Sequence, residues 1–389
     1  MTIPTTTAPS ARTHATAELD AAVRRFPLVA WARPACPTLP ERVADIADQA
    51  KNLHDAPPDR ETAESAAALL NLAALIASDC RDAALAEDLC HQHLDTYLSH
   101  DHPVAYRDAP LLLGPATNLA RLRMRAADGD TALTILVSLL RGVQRNIDTT
   151  VDERTLPLGS LHGPADERQE LVKFVWLQLL TDGTKALTLA GRWADAARLV
   201  QAYKGIGLHL FEGRQITIIN HLLEGDPAAA REDLSSAELS EPWEHEVAAC
   251  LGLLLTDPAD RASAIQNLVI LYEAAQGHPE RPHYRARLGT TASILVSAHD
   301  QHLADDVLHR TALEALDARD GYAAREALQH PRVEQVLGTE QIAGLHGRVE
   351  ASGLKGGHLT GRVLATLMDA TSSAQRTLEW AYRTTTGTP

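Results

Sequence analysis

Histidine is the residue type that most suggests chemistry in this sequence, since the chain contains 18 histidines. The densest groups are His91, His93, His100 and His102 near Cys90, and later His299, His302 and His309. His91 and His93 are two residues apart on a predicted helix, so they cannot bind one metal ion together. His299 and His302 could do so across a turn, but no HExxH motif accompanies them. Solvated or helix-capping histidines are the favoured interpretation, and neither a metal site nor a cofactor is predicted.

No motif with known chemistry identifies catalytic residues in this sequence. The sequence contains no GxSxG, P-loop or dinucleotide-binding fingerprint. The stretch GLKGGHLTGR at 353–362 contains Lys355 and could place an anion at the next helix N-terminus. It lacks the preceding strand of a phosphate loop, so a helix connector is favoured. Cys80 and Cys90 could form a reactive pair, but buried structural cysteines on Ala-rich helices are the favoured interpretation.

Two asparagines are candidates for binding a ligand. Asn71 and Asn118 lie inside the apolar runs ALLNLAAL and PATNLARL. A side-chain amide in such a run needs a hydrogen-bond partner. That partner is either a neighbouring helix or loop, or the backbone of a ligand in a groove.

The elements that carry these residues are predicted to be helices. The 389 residues are 45% hydrophobic but only 4% aromatic, and Leu and Ala supply most of the apolar content. Such a composition favours helices over strands, and an all-α fold is predicted. Amphipathic stretches are separated by Gly, Pro or Asp turns, with a capping box at Thr38–Glu41 and a helical hairpin around Asp128-Gly129-Asp130.

Charge and cysteine content narrow the class of protein and its compartment. The formal charge of −15 opposes nucleic-acid binding. The four cysteines are scattered and form no CxxC pair, which favours a reducing compartment. No secretory h-region and no run of 18 apolar residues is present, so a cytoplasmic protein without a membrane partner is expected.

Five segments are predicted along the chain. They are a disordered N-terminus (1–17), a helical block (18–147), a long loop (148–164), a repeat block (165–351) and a C-terminal loop with a capping helix (352–389). The 148–164 segment, DTTVDERTLPLGSLHGP, is either a surface linker or an ordered loop or hairpin that covers a binding groove.

The repeat block shows internal similarity at a spacing of 34 residues. The matching positions are Gly191, Gly225 and Ala259, then Ala196, Ala230 and Ala264, then Val200, Leu234 and Leu268. Small residues followed one turn later by larger apolar ones are typical of closely packed antiparallel helices.

This pattern resembles the tetratricopeptide (TPR) repeat, a helix–turn–helix unit of 34 residues. LAGRWADAARLV at 189–200 is similar to the TPR turn and second helix, and the resemblance covers about residues 177–276. It implies a right-handed superhelix, an α-solenoid of helical hairpins. The chain is also similar to the repeat portions of actinobacterial regulators, but residues 1–60 contain no recognisable helix-turn-helix module.

The first helices of TPR-like repeats line the concave face, and the same register assigns residues to it. These residues are Gln178, Thr181, Lys185, Arg214 and Gln215. Lys185 and Arg214 would then attract a carboxylate of a ligand.

The leading hypothesis is a non-enzymatic TPR-like binding or regulatory protein that recognises a peptide or partner protein in its concave groove. The alternatives are a small-molecule sensor with a pocket between repeats, and an enzyme of specialised metabolism on a helical scaffold. A homodimer is left open.

Overall fold

The structure is a computed structural model that describes residues 19–99, 103–274, 281–356 and 359–386. The predicted disordered segment 1–17, His100 and His102 lie outside these residues. The described residues are mostly helical and contain almost no sheet, which confirms the all-α prediction. Within these ranges, no helix combines the length and apolar character needed to cross a bilayer.

Most of the helices follow one another with short connections. The first are α1 (Leu39–His54), α2 (Arg60–Asp79), α3 (Ala83–Leu98), α4 (Ala109–Arg125), α5 (Gly129–Arg145), α6 (Ala165–Gln178) and α7 (Thr184–Leu189). A π-helical segment, Leu179–Gly183, joins α6 to α7. Next come α8 (Trp193–Ala202), α9 (Glu212–Leu223), α10 (Pro227–Ser235), α11 (Pro242–Leu255), α12 (Arg261–Ala274), α13 (Pro282–Ser297) and α14 (Gln301–Asp317). The last are α15 (Gly321–Leu328), α16 (Val333–Val336), α17 (Thr339–Ala351) and α18 (Gly361–Thr386).

Aspartate side chains cap the N-termini of six of these helices. In each case the carboxylate accepts a hydrogen bond from the main-chain N–H three residues later, at Asp59, Asp82, Asp128, Asp226, Asp300 and Asp320. Such a cap satisfies a donor that the helix itself leaves unpaired. The predicted capping box is also present, since Thr38 N donates to Glu41 Oε2 over 3.0 Å.

The chain divides into two compact units, and their boundaries differ from those of the predicted segments. Unit 1 contains residues up to Ala35 and Trp193–Arg348; unit 2 contains Cys36–Arg192 and the chain from Val349 onward. In unit 2, α18 packs against α1 and α2. Tyr382 of α18 meets Tyr97 of α3 edge to face, with ring centroids 5.1 Å apart.

The segment predicted as a long loop contains a β-hairpin that belongs to unit 2. Strands β1 (Thr149–Val151) and β2 (Arg154–Leu156) pair antiparallel, and a 3₁₀ turn (Leu158–Ser160) follows. The hairpin packs on α5 at Gly142, where an added Cβ would lie 2.2 Å from Thr149 Oγ1. Only glycine allows this approach, so the segment is ordered by contact with α5.

The residues of the 34-residue spacing lie at successive turns between helices and in the helices that follow them. Gly191 is in unit 2, whereas the residues from Ala196 onward are in unit 1. Gly191 and Gly225 adopt φ values of +71° and +80°, which suit glycine at a helix end. Ala230 lies where α10 packs against α9. Ala196 and Ala230 are fully buried, whereas Ala264 is only half-buried. The third position therefore departs from the first two.

Enlarging Ala230 tests this packing. Because its side chain has no exposed surface, Ala230→Leu should overpack α9 against α10 and lower the free energy of unfolding by about 1–3 kcal/mol. Urea unfolding followed by circular dichroism measures the change. Ala228→Leu, on an exposed position of the same helix, is the control and should alter stability little. Equal stability of the two variants would contradict this packing.

His93, Cys80 and Cys90 lie in the core. For His93 this differs from the prediction, which favoured solvated or helix-capping histidines. His93 Nε2 lies 3.0 Å from Tyr97 Oη, and burial lowers the His93 pKa to about 3. Burial also raises the pKa of the Cys80 thiol to about 11 and of the Cys90 thiol to about 12. Both cysteines therefore stay as thiols at neutral pH, as the structural interpretation requires.

Burial of neutral His93 should make the protein acid-sensitive. In the unfolded chain His93 binds a proton near pH 6.5, whereas in the folded chain it does so only near pH 3. The contribution of neutral His93 to the free energy of unfolding is therefore complete above pH 6.5. It falls as the pH drops, by about 2 kcal/mol at pH 5. Urea unfolding at pH 7.5 and pH 5 should show a smaller loss for His93→Gln than for the wild type. The same loss in both proteins would mean that His93 does not contribute.

Candidate functional site

Asn71 and Asn118, the two asparagines predicted to need partners, are hydrogen-bonded to each other. Asn118 Nδ2 donates to Asn71 Oδ1 over 2.8 Å and joins α4 to α2. Both residues are half-buried. Of the two interpretations of these amides, the bond to a neighbouring helix is therefore observed.

Arg121, one turn after Asn118, extends this pair to the α6 region. Its Nη1 donates to Asn118 Oδ1 over 2.9 Å and its Nη2 to Gln178 Oε1 over 2.8 Å. Its Nε donates to Asp182 Oδ2 over 2.9 Å. Asp182 is buried in the π-helical segment, so the guanidinium neutralises a carboxylate that burial would otherwise make costly. π-helical turns are frequent at functional sites.

Arg125 repeats this arrangement one turn further along α4. Its Nη1 donates to Ser78 Oγ over 2.5 Å and lies 3.1 Å from Asp79 Oδ1. The other oxygen of buried Asp79 accepts from Arg42 Nη2 over 2.7 Å. Asp79 is therefore shared by two arginines, and this trio carries one net positive charge. Arg42 is buried, whereas the side chain of Arg125 is 44% exposed.

Together these side chains form a polar surface across α2, α4 and α6, which we call the arginine stripe. It consists of Asn71, Ser78, Asn118, Arg121, Arg125 and Gln178. Both arginines are half-exposed and anchored by a buried aspartate on one side. An anchored guanidinium loses little side-chain entropy on binding and suits planar anions such as carboxylates.

Of the other predicted site residues, two follow Gln178 closely in the sequence and two belong to the other unit. Thr181 is half-buried within the π-helical segment, and Lys185 is exposed at the start of α7. Arg214 and Gln215 belong to unit 1.

Arg214 and Gln215 correct the prediction of a groove surface, because both are buried. Arg214 donates to the carbonyls of Gly207 and Asp233, each over 2.8 Å. Gln215 donates to Leu28 O over 2.7 Å and accepts from Leu28 N over 2.8 Å. Both side chains hold loops of their own unit, which the helical register alone does not reveal.

Arg121, Arg125 and Asp182 are the functional candidates that sequence reasoning missed. The spacing of the two arginines from Asn118 could have identified them, because residues three and seven positions later lie on the same helix face as Asn118. The signal for Asp182 was its spacing of four from Gln178.

Comparison with known proteins adds no assignment. No protein-family model matches the chain, and no curated protein or solved structure shows significant similarity to it.

The asparagine pair should behave as one energetic unit. Asn118→Ala removes the donor to Asn71 and one acceptor of Arg121, and should lower the free energy of unfolding by about 1–3 kcal/mol. Asn71→Ala combined with Asn118→Ala should cost less than the sum of the single changes, with a coupling of about 0.5 kcal/mol or more. Urea unfolding of the four proteins gives the coupling. Simple additivity would contradict a stabilising bond between the two amides.

Proposed function

We propose that this chain is a non-enzymatic binding protein of the TPR-like helical-repeat class, and that its arginine stripe binds a carboxylate of a peptide or partner protein. The proposal includes a superhelix whose first helices line a concave face. It also includes a regulatory role, like that of the actinobacterial regulators whose repeat portions the sequence pattern resembles. Two features support the class: the 34-residue spacing with buried Ala196 and Ala230, and the recurring Asp-capped helical hairpins.

Arg125 is the observation on which the ligand class depends. Asp79 is the one carboxylate of the trio and is paired with both Arg42 and Arg125. Because one negative charge balances only one of the two arginines, the trio keeps one positive charge. The chain as a whole has a formal charge of −15, which makes a local cationic site on its surface distinctive. Acidic side chains and peptide C-termini are the groups that such a site selects.

Neutralising Arg125 tests the proposal without exposing a lone buried charge. In Arg125→Gln, Asp79 keeps its ion pair with Arg42, so the fold should persist. We expect the affinity for a fluorescein-labelled acidic octapeptide with a free C-terminus to fall about tenfold or more, because one charge-assisted contact is lost. Fluorescence anisotropy measures the affinity, and its dependence on salt should weaken in the variant.

Two further variants distinguish this site from general attraction to cations. Arg141→Gln removes an exposed arginine from α5 and should leave the affinity unchanged. Arg121→Lys keeps the charge beside Asp182 but loses the planar fork, and should weaken binding. Equal affinity of Arg125→Gln and Arg141→Gln for the peptide would refute the stripe as the site.

A further inference from the structure

Glu87, His91 and Asp152 bring three potential metal ligands together on another face of unit 2. One ligand atom from each residue lies within 4.8 Å of the other two. Glu87 and His91 are one turn apart on α3, and Asp152 is on the turn of the β-hairpin. We propose that these residues form a binding site for a first-row divalent transition-metal ion such as Zn²⁺.

The hairpin turn is built so that Asp152 points back to α3. Asp152 and Glu153, the two residues between β1 and β2, both have left-handed backbones, with φ of 44° and 66°. This is the two-residue turn that matches the twist of paired strands. Next to it, Arg154 forms a bidentate ion pair with Asp95, at 2.7 Å and 3.0 Å. Asp95 lies one turn beyond His91, so the ion pair holds the turn over the His91 position.

The imidazole of His91 points to a ligand that the protein itself does not supply. Its Nε2 is buried and, among the described residues, has no hydrogen-bond partner. The nearest carboxylate oxygen, Asp152 Oδ2, is 3.7 Å away, which is too far for a hydrogen bond. A buried nitrogen without a partner is costly, and coordination to a metal ion would satisfy it.

Arg123 competes with a metal ion at this site. Its Nη2 lies 2.8 Å from both Glu87 Oε1 and Asp152 Oδ2. The two carboxylates and the guanidinium sum to one negative charge when His91 is neutral, so a divalent cation is still attracted. Because Arg123 repels that cation, it should lower the affinity.

The donor set decides the class of metal. An imidazole nitrogen with two carboxylates favours Zn²⁺, Co²⁺ and similar ions over Mg²⁺ and Ca²⁺, which prefer oxygen ligands alone. A bound ion would join the hairpin to α3 through ligands from both elements.

Titration of the full-length protein with Co²⁺, after treatment with EDTA, tests the site. Visible absorption should show saturable binding of one tightly bound ion, and competition with Zn²⁺ should remove the signal. His91→Gln and Asp152→Asn should each weaken binding about tenfold or more. Because the chain has 18 histidines, His302→Gln is the matched control: His302 Nδ1 lies 3.2 Å from Asp306 on an exposed helix face.

Arg123→Gln separates a metal site from a structural ion-pair cluster. Removal of the competing charge should tighten Co²⁺ binding in this variant, whereas a cluster that binds no metal would show no such gain. Circular dichroism verifies that each variant is folded, and the two ligand variants serve as alternatives if one is not. Absence of saturable Co²⁺ binding, or unchanged affinity in both ligand variants, would overturn the proposal.

Discussion

The hydrogen bond from a main-chain N–H to an aspartate side chain is the local constraint on which this helical structure depends. At four turns the capping aspartate follows a left-handed residue, in the pairs Arg81-Asp82, Ala127-Asp128, Gly225-Asp226 and Arg319-Asp320. At Asp82, Asp128 and Asp226 the main-chain N–H of the aspartate also bonds back to the carbonyl five residues earlier. One residue therefore ends a helix and begins the next. Helix lengths, and hence which side chains share a face, follow from where these turns fall.

Buried carboxylates then determine which polar side chains can face outward. Asp79 and Asp182 are nearly inaccessible, and each must be paired to remain charged. Arg121 and Arg125 meet this requirement from the edge of the core, so their guanidinium groups are ordered while they stay half-exposed. Under the proposed function, stability and recognition would depend on the same ion pairs, and a ligand would meet side chains that are already ordered.

Local signals predicted local structure well, and distant contacts poorly. The capping box at Thr38 and the Asp128 turn depend on neighbouring residues, so they could be read directly. The sequence also predicts that Asn71 and Asn118 need hydrogen-bond partners. That they bond to each other depends on how α2 and α4 pack, which the sequence does not reveal. The 34-residue register predicts Gln215 on the groove surface, whereas its side chain bonds to Leu28. That contact spans 187 residues, and no local pattern encodes it.

The packing of α18 on α1 and α2 has a consequence for biosynthesis. Unit 2 begins at Cys36, yet α18 is translated only after the whole 193–348 part of unit 1. Unit 1 in turn needs its early segment, since Leu28 bonds to Gln215. Neither unit corresponds to one contiguous stretch of chain, so neither can be completed in the order in which the ribosome delivers it. The apolar faces of α1 and α2 therefore stay exposed to solvent until α18 has been synthesised. During this interval a nascent chain is prone to aggregation and is a natural substrate for chaperones.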